Sequence, residues 1–572
     1  MQRYFPILDW AKNYKREYLN GDIIAGLTVG VMLIPQGMAY AMIAGLPPIY
    51  GLYASIVPIL IYAFLGTSRQ LAVGPVAMVS LLTATGISSL ATAGSDQYIM
   101  LAITLALIVG IIQLLLGTFR LGFLVQFLSH PVISGFTSAA ALIIGLSQLN
   151  HLLGVNIPRS HHIHEILINA FKQIGNIHIS TLLLGLGGII TIIGFKKIKK
   201  SIPGSLIAVA AGIVIVSLLN LESQGVQIVG EVPSGLPAFK IPLLDGSTFS
   251  SLIYMALAIS LVSFMESIAV AKAIQTKHKT YKVEPNQELI ALGLANIGGS
   301  FFQSIPTTGG FSRTAVNNDA GAKTGLASII SAALIVVTLL FFTPFFRNLP
   351  NAILAAVIMV AVFGLVDIKE AKHLWHTDKI DFALLFATFI ATASLGIEMG
   401  IGIGIALSLG MLIFRTSRPH IAELGKVAGT LNYRNVKRFP GLETFPEILI
   451  LRLDAQLFFA NANYFKDTLY SIIDSKPGQT KFVILNAESI SYIDSTGVMT
   501  LKDIFYDLKN QGIKFLMSGI IGPVRDTMER SELISVIGKG HLFMIVEDAV
   551  DYCKGKDPFG RNYQEYTLQA NE

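Results

Sequence analysis

Charged residues are scarce in this 572-residue chain: Lys, Arg, Asp and Glu make up only 14% of it, where a soluble protein carries about 25%. With 52% hydrophobic residues and a mean hydropathy of +0.62, that shortage excludes an ordinary soluble domain and implies a polytopic membrane protein. Cysteine is nearly absent. Cys553 stands alone, which excludes an internal disulfide framework and any multi-cysteine metal site. The net charge of +6 fits basic cytoplasmic loops and gives no sign of a nucleic-acid partner. The stretch 1–20 is polar and basic and runs straight into membrane-like sequence, so no cleavable signal peptide is expected.

Apolar stretches able to form membrane helices fall at 22–44, 48–66, 75–92, 98–117, 122–149, 179–195, 203–220, 250–271, 287–303, 311–319, 324–345, 351–367, 380–397 and 399–415, fourteen in all. The third and tenth are short, and non-helical backbone precedes each. A broken element third in each set of seven predicts an inverted repeat of seven plus seven segments. Lys196, Lys197, Lys199, Lys200, Lys277, Lys279 and Lys282 crowd loops of one side, with only Arg159, Lys172, Lys240 and Arg347 on the other. By the positive-inside rule both termini are expected in the cytoplasm. Loops 150–178 and 221–249 lie outside and have room for short helices or strands.

The two breaks carry the chemistry. One reads Gly74-Pro75-Val76-Ala77, the other Ile305-Pro306-Thr307-Thr308-Gly309-Gly310-Phe311-Ser312-Arg313. The N-terminus of a half helix offers free N–H groups and a positive dipole end to an anion, and Arg313 adds a fixed positive charge. A small anion crossing the membrane is the expectation. A snorkelling or structural Arg313 is the plain alternative. Pro35-Gln36-Gly37-Met38-Ala39-Tyr40 is expected to interrupt the first span. Gln36 and Tyr40, four apart, share a face and donate hydrogen bonds as an oxyanion requires, unless both serve helix contacts. Gly30, Gly37 and Gly45 mark close packing. Glu266 reads as the only acid deep in an apolar helix. Desolvation favours its neutral form and Arg313 its charged form, as a proton-coupling residue needs; a static ion pair is the alternative.

Beyond residue 419 the composition turns soluble. Strands are expected at 448–453, 457–460, 481–485 and 513–518 with helices between, the first helix at 463–473, giving a small α/β domain. Asp494 or Ser495 is expected to cap the helix that follows, at a turn that could also take a phosphoryl group. His161, His162 and His164 mimic a metal cluster in an outside loop without further ligands, and a solvated loop is the reading; neither metal nor cofactor is expected.

Ile34-Pro35-Gln36-Gly37-Met38-Ala39-Tyr40, Ala44 to Tyr53, Val73 to Ala77, Asn286-Gln287-Glu288-Leu289 and Ser312-Arg313 together resemble the SulP family of anion transporters, over about residues 22–553. The tail resembles the STAS domain of these transporters. The resemblance implies a uracil-permease-type inverted repeat, a homodimer in the cell membrane, and no enzymatic activity. It implies an anion site at Gln36, Tyr40, Val76, Ala77, Phe311, Ser312 and Arg313, with Glu266 where sulphate/proton symporters carry a glutamate. It also implies a phosphorylation position at Thr496, beside Ser495, and a cytoplasmic partner for the STAS domain. Sulphate carried with protons by alternating access is the expected activity. Sodium-coupled bicarbonate or dicarboxylate transport, or anion exchange, is the alternative, and a membrane-anchored STAS signalling protein a remote one. The expected segments are 1–20, a transport domain at 21–418, a linker at 419–442, STAS at 443–553 and a tail at 554–572.

Overall fold

A computed structural model describes residues 6–123, 129–158, 163–198, 204–243, 245–278, 281–476, 478 and 480–556. His161 and His162 lie outside them, as does most of the tail after 554. The chain divides into two compact units, Met1–Ser408 and Leu409–Glu572.

The first unit is helical. Each of the fourteen apolar stretches contains helix. Among the described residues six helices are long and apolar enough to cross a membrane, and five shorter ones are apolar. Large apolar side chains face outward from them, such as Ile190, Leu218 and Tyr254, the last 82% exposed. Water would penalise that surface; hydrocarbon does not. Leu33, Met38, Leu82, Leu105 and Ile108 fill the interior.

The first long helix, Arg16–Ile43, runs unbroken through Pro35, which corrects the expected interruption. Proline removes one backbone donor and strains one turn, and here the helix continues past it. Gly30 and Gly37 do permit close approach: a Cβ at Gly37 would lie 3.0 Å from the carbonyl oxygen of Gly51. Gly45 does so too, a Cβ there lying 2.7 Å from Tyr98 Oη, and it also adopts a turn at φ +78°.

The two breaks meet. Strand β1 (Val73–Gly74) pairs antiparallel with strand β2 (Thr308–Gly309), Val73 opposite Gly309 and Gly74 opposite Thr308. Helices Ala77–Ser88 and Phe311–Asp319 then leave the pair. At 1.5 Å per residue they are only about 18 and 14 Å long, well short of the roughly 30 Å hydrocarbon layer. Neither can span that layer alone, and the residues that precede them, Val76 and Gly310, are buried.

The second unit holds a six-stranded sheet in the order β4-β3-β5-β6-β7-β8. Its strands are β3 (Ile421–Lys426), β4 (Tyr433–Asn435), β5 (Ile448–Leu453), β6 (Phe482–Asn486), β7 (Lys514–Ser518) and β8 (Leu542–Phe543). β5 to β8 are mutually parallel and β3 is antiparallel to β5. Helices Ala462–Asp474 and Ser495–Asn510 help cover the sheet, burying Phe465, Leu469, Leu501 and Ile504. Two expectations are corrected. Leu457 makes only an isolated bridge to Ile493 rather than opening a strand. Residues 421–426 and 433–435, expected as linker, form β3 and β4. Their signal was weak because Glu423, Gly425 and Arg434 dilute the apolar alternation.

Candidate functional site

Arg313 is the third residue of its helix and is 2% exposed. Its Nη1 donates to the carbonyl oxygen of Pro75 at 2.7 Å, so the second break reaches across to the first. Among the described residues its Nε and Nη2 have no hydrogen-bond partner. Buried guanidinium donors are costly to leave unsatisfied, so these two define a place for an acceptor. The surrounding glycines make room. Gly74 adopts φ +150°, and a Cβ there would lie 3.3 Å from Nη2; one at Gly310 would lie 3.0 Å away.

A cavity of about 290 Å³ opens at this point, and Gln36, Tyr40, Val76, Ala77, Phe311, Ser312, Arg313 and Glu266 all line it. Gln36 and Tyr40 are buried, while Phe311 is 56% exposed and Ser312 is exposed. Val76 and Gly310 are the extended N-caps of the two half helices, so both positive dipole ends lie at the cavity wall. The remaining wall is largely apolar, with Val132, Phe136, Leu261, Met265 and Ile405. A small anion here meets a fixed charge and two sets of backbone donors in a low-dielectric setting, where each interaction is stronger than in water.

Glu266 is half-buried and forms no ion pair with Arg313, whose only hydrogen bond goes to Pro75. It is not the most deeply placed acid. Asp22 and Glu288 are both fully buried. Glu288 accepts from Tyr62 Oη, Thr67 N and Thr67 Oγ1, all at 2.6 Å, and from Ser68 N at 3.2 Å. Asp22 accepts from Lys323 N at 2.7 Å, Thr324 N at 3.0 Å and Thr324 Oγ1 at 2.7 Å. These carboxylates are satisfied in place and clamp chain segments, whereas Glu266 faces the cavity.

Sequence reasoning missed the polar frame behind the site. Ser267 Oγ accepts from Gly309 N at 2.8 Å and pairs with Thr308 Oγ1 at 2.7 Å. Thr308 Oγ1 also donates to the Ser263 carbonyl at 2.6 Å. Asn296 Oδ1 accepts from Thr307 N at 2.8 Å, and Gln113 links Asn296 to Ser263. Serines at 263 and 267 flank Glu266 on one helix, so the helix that carries the acid also holds β2, the strand leading to Arg313. His130 was missed too; it lines the cavity and lies 3.3 Å from Glu370.

In the tail, Asp494 caps the helix Ser495–Asn510, its Oδ1 accepting from Gly497 N at 2.8 Å and its Oδ2 from Phe459 N at 3.0 Å. Ser495 is exposed and Thr496 half-buried in the first turn. His164 sits in the helix Ile163–Lys172, and among the described residues no group of three or more His, Cys, Asp or Glu side chains is placed to hold a metal.

A helical membrane unit whose two half helices start from one strand pair beside a buried arginine, followed in the chain by a small α/β tail, defines a class of membrane transporter. Residues 19–388 match the Sulfate permease family and residues 440–549 the STAS domain, and the chain belongs to that family. It is 42% identical over 567–569 residues to "Probable sulfate transporter 4.2" and "Sulfate transporter 4.1, chloroplastic" of Arabidopsis thaliana; the match to the latter covers 96% of this chain and 82% of that one. High affinity sulfate transporter 2 of Stylosanthes hamata is 35% identical over 96% of this chain and 86% of its own. The fold is similar to murine Solute Carrier 26 family member A9, an anion transporter in the inward-facing state, with a TM-score of 0.89, 26% identity, and 97% of this chain and 94% of that one covered.

Proposed function

We propose that this protein is a homodimeric secondary transporter that carries sulfate into the cell with protons by alternating access. The observation that carries the reading is the buried Arg313, with Nε and Nη2 unpartnered, at the meeting point of two half-helix N-termini. Gln36, Tyr40 and Ser312 orient the dianion, and Val76, Ala77 and Phe311 shape its berth. Glu266 takes a proton in the loaded state and releases it in the empty one. The antiparallel pairing of β1 with β2 supports the seven-plus-seven inverted repeat, since each strand precedes the short helix third in its set. The loop charges support cytoplasmic termini in a cell-membrane protein. The tail engages a cytoplasmic partner, and Ser495 or Thr496 is its candidate phosphorylation position.

At an inside-negative potential each negative charge opposes uptake by about 2.3 kcal/mol per 100 mV. Electroneutral sulfate entry therefore needs two protons, of which Glu266 accounts for one. The names of the two groups of plant relatives support sulfate over other anions. The test is radiolabelled sulfate uptake into proteoliposomes under imposed gradients. Accumulation driven by acid outside, abolished by a protonophore and indifferent to sodium, is the expected result. Accumulation that follows sodium and ignores protons overturns the coupling.

A further inference from the structure

Electroneutral sulfate entry needs a second proton, and the anion cavity holds one further group able to carry it. Among the described residues that line the cavity, four have titratable side chains: Tyr40, His130, Glu266 and Arg313. A phenol ordinarily titrates near 10 and a guanidinium above 12, so neither exchanges protons in the range a cell offers. Imidazole does. The buried acids Asp22 and Glu288 lie off the cavity and are held by their own donors. His130 is left beside Glu266.

His130 is the first residue of the helix His130–Ser147. Its Nδ1 lies 3.3 Å from Glu370 Oε1; the His130 side chain is 73% exposed and that of Glu370 only 23%. A mostly covered carboxylate interacts more strongly with a nearby cation than a fully exposed one. The start of the helix presents its positive dipole end to the imidazole, so an imidazolium there needs the counter-ion that Glu370 provides. Glu370 is held in place. Asp367 Oδ1 accepts from Glu370 N at 3.0 Å, and Asp367 N donates to Ser138 Oγ at 3.2 Å. These bonds tie the start of the helix Ile368–Thr377 to the helix that carries His130. The exposed face of the imidazole meets solvent, which gives protons a way on and off.

The remaining charged groups around the helix lie elsewhere. Lys369 and Lys372 are one and two positions from Glu370 and occupy other faces of their helix, while His373 is one turn on and shares its face. Asp378, Lys379 and Asp381 begin the helix Lys379–Leu395, which packs closely enough on His130–Ser147 that a Cβ at Gly135 would lie 2.2 Å from the Leu385 carbonyl oxygen. The neighbouring helices Ala77–Ser88 and Asn351–Phe363 contain no charged side chain. His151, His164, Glu165 and Lys172 belong to segments that pack at the Ser147 end. Among the described residues Glu370 is the acid within ion-pair distance of His130. Glu266 and Arg313 share the cavity with it.

We infer that His130, paired with Glu370, carries the second proton that accompanies sulfate. The inference rests on the proton-coupled reading. With sulfate bound, Glu266 is neutral and His130 is an imidazolium against Glu370. With the site empty, Glu266 is a carboxylate and His130 is neutral. Two protons offset the two charges of sulfate, so the unit has the same net charge loaded and empty. Both protons come from the outer solution and leave on the inner side with the anion; only an O–H and an N–H bond form and break. Glu370 is a positioning residue that acts through His130.

The test uses full-length protein in proteoliposomes, with sulfate accumulation driven by acid outside and the potential clamped by valinomycin and potassium. The clamp matters, because in unclamped vesicles a variant limited to one proton per sulfate charges the interior negative and stalls. Wild-type accumulation should be indifferent to the clamped potential. His130→Gln should move one proton per sulfate, so an inside-negative potential of about 100 mV should lower its accumulation about 50-fold. A sulfate jump should then draw a current from His130→Gln on a solid-supported membrane and none from the wild type. Glu370→Gln should need a more acid medium, its uptake profile moving toward lower pH as the counter-ion is lost. His373→Gln should behave as wild type. Voltage-independent accumulation by His130→Gln overturns the assignment, as does a voltage effect that appears in His373→Gln instead. Should His130→Gln fail to fold or move no sulfate, Glu370→Gln decides, and a pH profile identical to wild type overturns the pair. Wild-type uptake that is proton-driven yet already voltage-dependent by one charge overturns the second proton while leaving Glu266 standing. Wild-type uptake that ignores protons overturns the coupled reading and this inference with it.

Discussion

Arg313 Nη1 donates to the carbonyl oxygen of Pro75 at 2.7 Å, across 238 residues of chain. The bond ties the start of one half helix to the break before the other. It turns two separate interruptions into one concave surface, with the arginine's remaining donors inside. A proline is well suited to the accepting position: its ring fixes the backbone and removes an N–H that would otherwise need a partner.

Replacing Arg313 by alanine should abolish sulfate binding. Charge-assisted hydrogen bonds contribute about 1.5–3 kcal/mol each, so losing two corresponds to at least a hundredfold in Kd. Arg313→Lys should also bind poorly, because a point charge cannot reach both Pro75 and the anion as the planar fork does. Scintillation-proximity binding measures this, with thermal unfolding to show that the protein still folds. Wild-type affinity in the alanine variant would place the anion elsewhere.

The positions of the helices were legible because bilayer spans write long apolar runs, and the broken elements because glycine and proline sit in pairs where no span needs them. Residues such as Arg313 and Glu266 stood out as charges within apolar sequence. The unbroken course past Pro35 was not legible, since a proline's effect depends on whether its neighbours tolerate one missing bond. The Ser267–Thr308 and Asn296–Thr307 contacts were hidden for another reason: serine, threonine and asparagine are unremarkable in membrane helices, and only tertiary proximity reveals the network. Glu288 looked like part of a motif, and its role as an acceptor from Tyr62 and Thr67 needed the fold.

Ser267→Ala removes the acceptor for Gly309 N, a buried donor. An unsatisfied buried group costs about 1–3 kcal/mol, and part of that cost should appear as a lower Tm. Because β2 leads directly to Arg313, sulfate KM should rise several-fold as well. Unchanged Tm and KM would show that the strand is held without this contact.

Truncation should respect the sheet. Ending the chain after Arg438 would leave β3 and β4 without β5, exposing Ala422, Leu424 and Tyr433, which are buried in the tail's second core cluster. Ending it after Arg418 removes the sheet whole. The shorter protein should express better, keep its membrane helices and transport more slowly than the full chain. Analytical ultracentrifugation in detergent and sulfate uptake give the two readouts; full-rate transport by a stable dimer would make the tail dispensable.

The tail should lose stability in acid. Burial opposes ionisation of Asp454, but hydrogen bonds from Arg452 and His420 outweigh it and hold the carboxyl below its ordinary range. A depressed carboxylate stabilises the fold in full above its unfolded value of about 3.9 and ceases to do so as pH falls through the folded value. Circular-dichroism melts of residues 419–556, which contain their own apolar core, should show Tm falling below about pH 4. Asp454→Asn should be less stable at pH 7 and flatter below pH 4. Parallel profiles for the two proteins would remove Asp454 from the explanation.

Glu266→Gln should separate binding from coupling. Glutamine resembles the protonated carboxyl in shape and cannot titrate. The groups proposed to bind the anion, Arg313 and the half-helix ends, are untouched, so Kd for sulfate should stay within about threefold of wild type, and sulfate should still exchange for sulfate across the membrane. Accumulation against a gradient should disappear. A proton is coupled to transport only when its affinity differs between the loaded and empty states, and the glutamine side chain has no proton to gain. The absence of an ion pair between Glu266 and Arg313 matters here: a carboxylate locked onto the arginine would be a structural partner, and its loss would damage binding first. Proteoliposomes at acid outside and neutral inside pH, with and without a protonophore, distinguish the cases. A variant that still concentrates sulfate in response to the proton gradient would remove Glu266 from coupling, and one that fails to bind would make it part of the anion site.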